Sequence, residues 1–210
     1  MIEEESNKRR KGIETRHKIL EEASLLISQY GFDNVSIRQI TKQVGIKESS
    51  LYNHFVNKDA ILESLFTYFV ENHGTVRPPE EELDELMLVM QPEEIFKHIV
   101  FYFGKHINPI LENTAMIITN EKYRNARAAE IYYRYVVNDA SAYFERLIRK
   151  MIDRGMFKEV DAHLYAMQYN YTSIALVKEY YMARNGMADL YAVVKYMVTT
   201  IEFYCSLMKP

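Results

Sequence analysis

Gly45 stands between two short apolar runs, and that interruption constrains the chain more than any other feature. Ser36 opens the first run with Gln39 three residues on, the spacing at which each side chain satisfies the other's backbone N–H at a helix start. Val35 is placed to staple against Ile40 across that start. The run ends at Val44, and a second one through Leu51 and Phe55 follows almost at once, so two short helices must meet at a glycine turn. Upstream, Ile19, Ala23, Leu26 and Tyr30 recur at helical spacing before Gly31, which predicts a first helix over 13–30. Downstream, Asn57 caps a fourth helix that ends near Gly74, with Asp59 suited to its positive end and a stripe of Ile61, Leu62, Leu65, Phe66 and Phe69.

The rest of the chain is helical in pattern too. Only 7 glycines and 5 prolines punctuate 210 residues, which favours an all-α protein. Thr75–Gln91 mixes Pro78, Pro79 and the acidic run Glu80–Glu82 with an apolar patch and reads as a linker or irregular loop. Beyond it, helices are expected over 92–106, 109–119, 121–154, 161–185 and 188–208, the third ending at Gly155 and the fourth at Gly186. In the last of these, Leu190, Val194, Met197, Ile201, Tyr204 and Met208 alternate at four and three residues, and Leu164, Met167, Tyr171 and Ile174 do the same in the helix before. Two antiparallel helices striped in this way can bury their seams against a two-fold copy, or against the chain itself. The expected architecture is a three-helix head in residues 1–60, of which 1–11 form a flexible arm, and a C-terminal helical bundle in 61–210 that dimerises and binds an effector.

Charge and chemistry narrow the function. The net charge is −3, but residues 8–18 hold six basic groups against one acid, a local basic arm beside Glu3, Glu4 and Glu5. The single cysteine, Cys205, has no partner for an internal disulfide, which fits a reducing cytoplasm. The acidic N-terminus is unlike a secretion signal, and runs such as Ile99–Phe103 are too short to span a bilayer. A bundle enzyme with a carboxylate-bridged metal site needs two Glu-x-x-His pairs, and only Glu14–His17 has that spacing; no phosphate loop, zinc-protease helix or nucleophile elbow occurs either. Neither catalysis, a metal nor a cofactor is expected.

A helix-turn-helix needs a buried seam and an exposed second helix that fits a major groove about 12 Å wide. Ile37, Ile40, Val44, Ile46, Leu51 and Phe55 can form the seam, leaving Lys47, Glu48, Ser49, Tyr52, Asn53 and His54 outside it. Here the chain resembles the tetracycline-repressor (TetR) family, through Gly31-Phe32, Val44-Gly45-Ile46, Leu51-Tyr52-Asn53-His54-Phe55 and Lys58-Asp59 in order, over about residues 13–65. The resemblance implies a positioning helix over 36–43 and a recognition helix over 47–53, with Tyr52, His54 and Lys58 on DNA phosphates. Base choice would fall to Arg38, Lys47, Glu48, Ser49, Ser50 and Asn53. Three positions depart from the common pattern: Lys47 where a small hydroxyl residue often caps the helix, Ser49 where glycine is frequent, and Thr41 where alanine is usual.

The resemblance also implies dimerisation through the two last helices and a ligand pocket between helices of the larger domain. Aromatic residues are dense there, among 17 tyrosines in all, and Phe101, Met116, Tyr132 and Tyr169 are the candidate effector contacts. The same residues could equally serve as core. The expected function is a DNA-binding transcriptional regulator, a repressor released from a palindromic operator by a small lipophilic or aromatic effector. The alternative is a dimeric DNA-binding adaptor controlled by a protein partner.

Overall fold

The computed structural model describes residues 2–210, without the side chains of residues 2–5 and Lys8; Glu3–Glu5 and the lysine that begins the basic arm thus lie outside the described side chains. Eleven α-helices, with no strand among the described residues, form two compact units. The first unit comprises residues 1–74 and 107–132, the second 75–106 and 133–210. This division of the packing does not fall at residue 60, where the sequence places a boundary.

In the first unit, α1 runs Ile2–Tyr30, α2 Ile37–Val44, α3 Glu48–Tyr52 and α4 Lys58–Asn72, and α7 (Pro109–Glu121) and α8 (Ala126–Ile131) complete it. The arm expected to be flexible is the first part of α1. The start of α2 has the reciprocal cap its sequence predicts: Gln39 Oε1 accepts from the Ser36 N–H at 2.8 Å, and Ser36 Oγ accepts from the Gln39 N–H at 3.3 Å. Gly45 closes it at φ +77°, a left-handed conformation that a side chain would disfavour. The core gathers Ile19, Ile40, Leu51, Ile61, Leu65 and Phe66, all fully enclosed. From far along the chain α7 adds Leu111, Ile117 and Ile118 to the buried set and packs on α1 and α4. A polar contact pins α1 to α7, where Asn113 Nδ2 donates to the buried Ser24 Oγ at 3.2 Å and Ser28 Oγ donates to Asn113 Oδ1 at 3.3 Å.

The second unit holds α5 (Glu80–Leu86), α6 (Pro92–His106), α9 (Ala140–Asp153), α10 (Ala162–Arg184) and α11 (Leu190–Met208). Where the sequence reads as a linker the structure has α5. Pro79 precedes it, three acids occupy its first turn, and Leu83 is buried. Two of its acids are met by a basic row on α9 and its C-cap: Arg146 and Lys150 on Glu80, Lys150 and Arg154 on Asp84, at 2.9–3.1 Å. These contacts hold both carboxyls below their usual range, through the Arg146 hydrogen bond first for Glu80 and the Lys150 hydrogen bond first for Asp84.

The single helix expected over 121–154 is broken once, at 122–125, and changes its winding further on. Asn125 caps a fresh start at α8, its side chain accepting from the Ala128 N–H at 3.0 Å, and residues Tyr132–Asp139 then form a π-helix before α9. The rings of Phe96, Phe144, Tyr169 and Tyr204 fill the core of the second unit, with Phe96 stacked on Phe144 and the other pairs edge to face. The seam expected along α11 divides: Ile201 and Met208 are in this core and Tyr204 packs against it, whereas Leu190 and Val194 face outwards. Part of the stripe is thus satisfied within the chain, and the rest is surface.

Candidate nucleic-acid interface

α2 and α3 meet at the turn Gly45–Lys47. Ile40, Val44, Leu51 and Phe55 of the expected seam are buried, and Ile37 and Ile46 half-buried. This leaves α3 only five residues long and fixed from beneath. On its outer side Lys47, Glu48, Ser49, Tyr52 and Asn53 are exposed, with Ser50 and His54 half-buried, and Arg38 is exposed on α2. The row offers an ammonium, a guanidinium, hydroxyls, an amide, a phenol and an imidazole, donors suited to phosphates and to base edges.

Individual residues are set by local chemistry. Lys47 is the N-cap of α3 and makes no capping bond from its side chain, so its ammonium is not used at the helix end, while Glu48 complements the dipole in the first turn. The departure at Thr41 is absorbed internally: the residue is buried and its hydroxyl donates to the Arg38 carbonyl at 3.1 Å. Arg16, to which the sequence assigns no role, braces the underside, donating to Ser64 Oγ at 3.0 Å and lying 4.8 Å from the centre of the Phe55 ring. No spacing rule marks such a contact, because its partners lie far along the chain.

Lys58 is placed differently from the other candidates. Its Nζ donates to the carbonyls of Phe32 (2.7 Å) and Val35 (2.9 Å), both in the turn between α1 and α2, and stands 4.2 Å over the Phe32 ring. Two of its three N–H donors are thereby engaged within the head.

The effector candidates are not gathered in one unit. Met116 and Tyr132, both half-buried, belong to the first, and Lys122 Nζ lies 4.6 Å from the centre of the Tyr132 ring. Phe101 and Tyr169 belong to the second: Phe101 is exposed, while Tyr169 is enclosed by the aromatic core, which pushes its phenol up so that it stays a protonated donor. Among the described residues no group of His, Cys, Asp and Glu could hold a metal ion, and no helix is long and apolar enough to cross a membrane.

A short exposed helix laid over a buried seam, with a positioning helix before it, defines a helix-turn-helix DNA-binding protein. Residues 19–65 match the family described as bacterial regulatory proteins, tetR family. The biofilm operon icaADBC HTH-type negative transcriptional regulator IcaR of Staphylococcus epidermidis is 38% identical over 60 residues, which are 27% of this chain and 32% of that protein. The chain thus spans about a third of the length of that relative. The nucleoid occlusion factor SlmA of Vibrio cholerae is 27% identical over 168 residues, 75% of this chain and 79% of that one. Among solved structures, a transcriptional regulator from Saccharomonospora viridis in complex with choline shares the fold with a TM-score of 0.66, at 20% identity, over 92% of this chain and 96% of that one. Residues 19–65 thus carry the helix-turn-helix domain described for the tetR family, and the solved structure shares the fold of the rest.

Proposed function

We propose that the protein acts as a dimeric, cytoplasmic repressor that leaves a palindromic operator when a small lipophilic or aromatic effector binds its larger domain. Residues 1–60 would read DNA and residues 61–210 would dimerise and bind the effector. The observation that carries the reading is the exposed row on α3, held over an enclosed apolar seam. Tyr52 and His54 would donate to phosphates, and Arg38, Lys47, Glu48, Ser49, Ser50 and Asn53 would select bases. One five-residue helix buries too little surface for tight specific binding, so two heads about one helical turn apart are required. The outward Leu164, Tyr171 and Met182 of α10 and Leu190, Val194 and Tyr196 of α11 supply apolar and aromatic surface for that pairing.

The test is a salt series on purified protein with a duplex recovered by selection from random fragments. Tyr52→Phe is expected to weaken binding to all duplexes alike, whereas Ser49→Ala and Asn53→Ala alter sequence preference. Equal loss of preference from both kinds of change refutes the assignment. A ligand screen by thermal melting tests the effector, because a compound at 100 times its dissociation constant stabilises by about 2.7 kcal/mol. Similarity to a nucleoid occlusion factor across three quarters of the chain favours a second reading, an adaptor whose C-terminal domain answers to a protein partner. No stabilising compound, together with capture of a defined partner by the dimer, would select it.

A further inference from the structure

Lys58 is the first residue of α4, directly after the Asn57 cap. A cation there faces the positive end of the helix dipole, an unfavourable place unless specific acceptors hold it. The acceptors are present. The Phe32 and Val35 carbonyls both belong to the loop joining Tyr30, the last residue of α1, to Ser36, the cap of α2, and the Phe32 ring provides a third attractive contact. One ammonium thus ties the start of α4 to the turn that sets where α2 begins, and α2 in turn carries α3 through Gly45.

Besides Lys58, the loop is held by the buried Val35 side chain, by a long Arg124–Asp33 ion pair at 3.9 Å and by a few local hydrogen bonds. Its own backbone bonds are Gly31 N–H to Ile27 at 2.9 Å and a long Val35 N–H to Phe32 at 3.4 Å, and Asn34 Nδ2 donates back to Tyr30 at 2.9 Å. Without Lys58 two carbonyls lose their charged donor, and the angle at which α1 delivers α2 is less well determined. We infer that Lys58 is a positioning residue, which acts by fixing the α1–α2 turn against α4 and so aiming the recognition helix, rather than chiefly by holding a phosphate. The inference rests on the reading that α3 docks on DNA.

Three roles predict three outcomes for the neutral variants Lys58→Met and Lys58→Gln. The full-length protein is titrated with the selected duplex and with a random duplex of equal length, over a range of salt and well below the melting temperature. A phosphate contact predicts that the slope of log affinity against log salt falls by about 0.9, with both duplexes weakened alike. Positioning predicts an unchanged slope, unchanged affinity for the random duplex, and a loss of roughly ten-fold or more on the selected duplex. A role in folding alone predicts a lower melting temperature with no change in either affinity, and this outcome, like the first, overturns the inference. Lys58→Gln keeps one amide donor for the turn and serves where Lys58→Met does not fold; its loss is expected to be the smaller. If the wild-type protein shows no salt-sensitive binding to any duplex, the DNA-docking reading fails first and the inference with it, whereas with normal wild-type binding any change in the variants is due to Lys58 itself.

Discussion

Asn170 offers the sharpest test of how the larger unit is held together. Its side chain is buried on α10, and Nδ2 lies 3.1 Å from each of three acceptors: the carbonyls of Val136 and Val137 in the π-helix and Ser141 Oγ at the start of α9. An amide nitrogen carries two hydrogens, so two of these bonds exist at a time. Replacing Asn170 by alanine removes about 1 kcal/mol net for each and leaves a buried carbonyl short of a donor, at about 1–3 kcal/mol, so a loss of roughly 3–5 kcal/mol is expected. For a chain of this length each kcal/mol moves the melting temperature by about 2–4 °C, which places the shift at roughly 6–20 °C. The measurement is circular dichroism melting of wild type and variant at equal protomer concentration, since association adds to apparent stability. Asn170→Leu, similar in size but without donors, should fall in the same range. A shift under about 3 °C for both variants would mean that the π-helix holds its shape without this clamp, and the reasoning would be wrong.

Two further outcomes follow from geometry already described. Lys47→Thr gives α3 the side-chain cap it lacks and should raise stability by about 1 kcal/mol, while weakening DNA binding if the ammonium meets the duplex; a melting curve and a binding titration on the same sample check both signs. Acid should unfold the second unit early, because Glu80, Asp84 and Glu93 are held below their ordinary values by Arg146, Lys150 and Lys209 in that order. Depressed carboxyls contribute stability that is complete above the unfolded values, 4.5 for Glu and 3.8 for Asp, and is lost as pH falls below them. Melting temperature should therefore decline from about pH 4.5 downwards, the Glu80→Gln, Asp84→Asn double variant should decline less, and an equally steep decline in that variant would remove these groups from the explanation.

The head is largely legible because its signals are local. The Ser36–Gln39 pair, the glycine stop and the spacing of Leu51 and Phe55 each constrain backbone within a few residues, and the structure places them accordingly. α5 reads as a loop because only Leu83 marks a buried face; the helix depends on Arg146, Lys150 and Arg154, some sixty or more residues away. The run 121–154 looks continuous because apolar spacing tolerates a break, although Asn125 three residues before Ala128 is a cap signal that points to one. Periodicity likewise does not distinguish a seam kept for a partner from one used at home, which is why Ile201 and Val194 look alike. For Lys58, residue type suggests a phosphate, and only the positions of two carbonyls in a distant turn reveal the internal bonds.

The discontinuous make-up of the first unit limits how the protein can be taken apart. The helices proposed to read DNA share their core with Leu111, Ile117, Ile118, Ala128 and Ile131, supplied by a stretch that begins more than thirty residues after α4 ends. The reading end is therefore no cassette: cut after Gly74, it would bare the apolar sides of α1 and α4 to water. A chimera that grafts this specificity onto another dimeriser has to carry residues 107–132 along with the N-terminal piece.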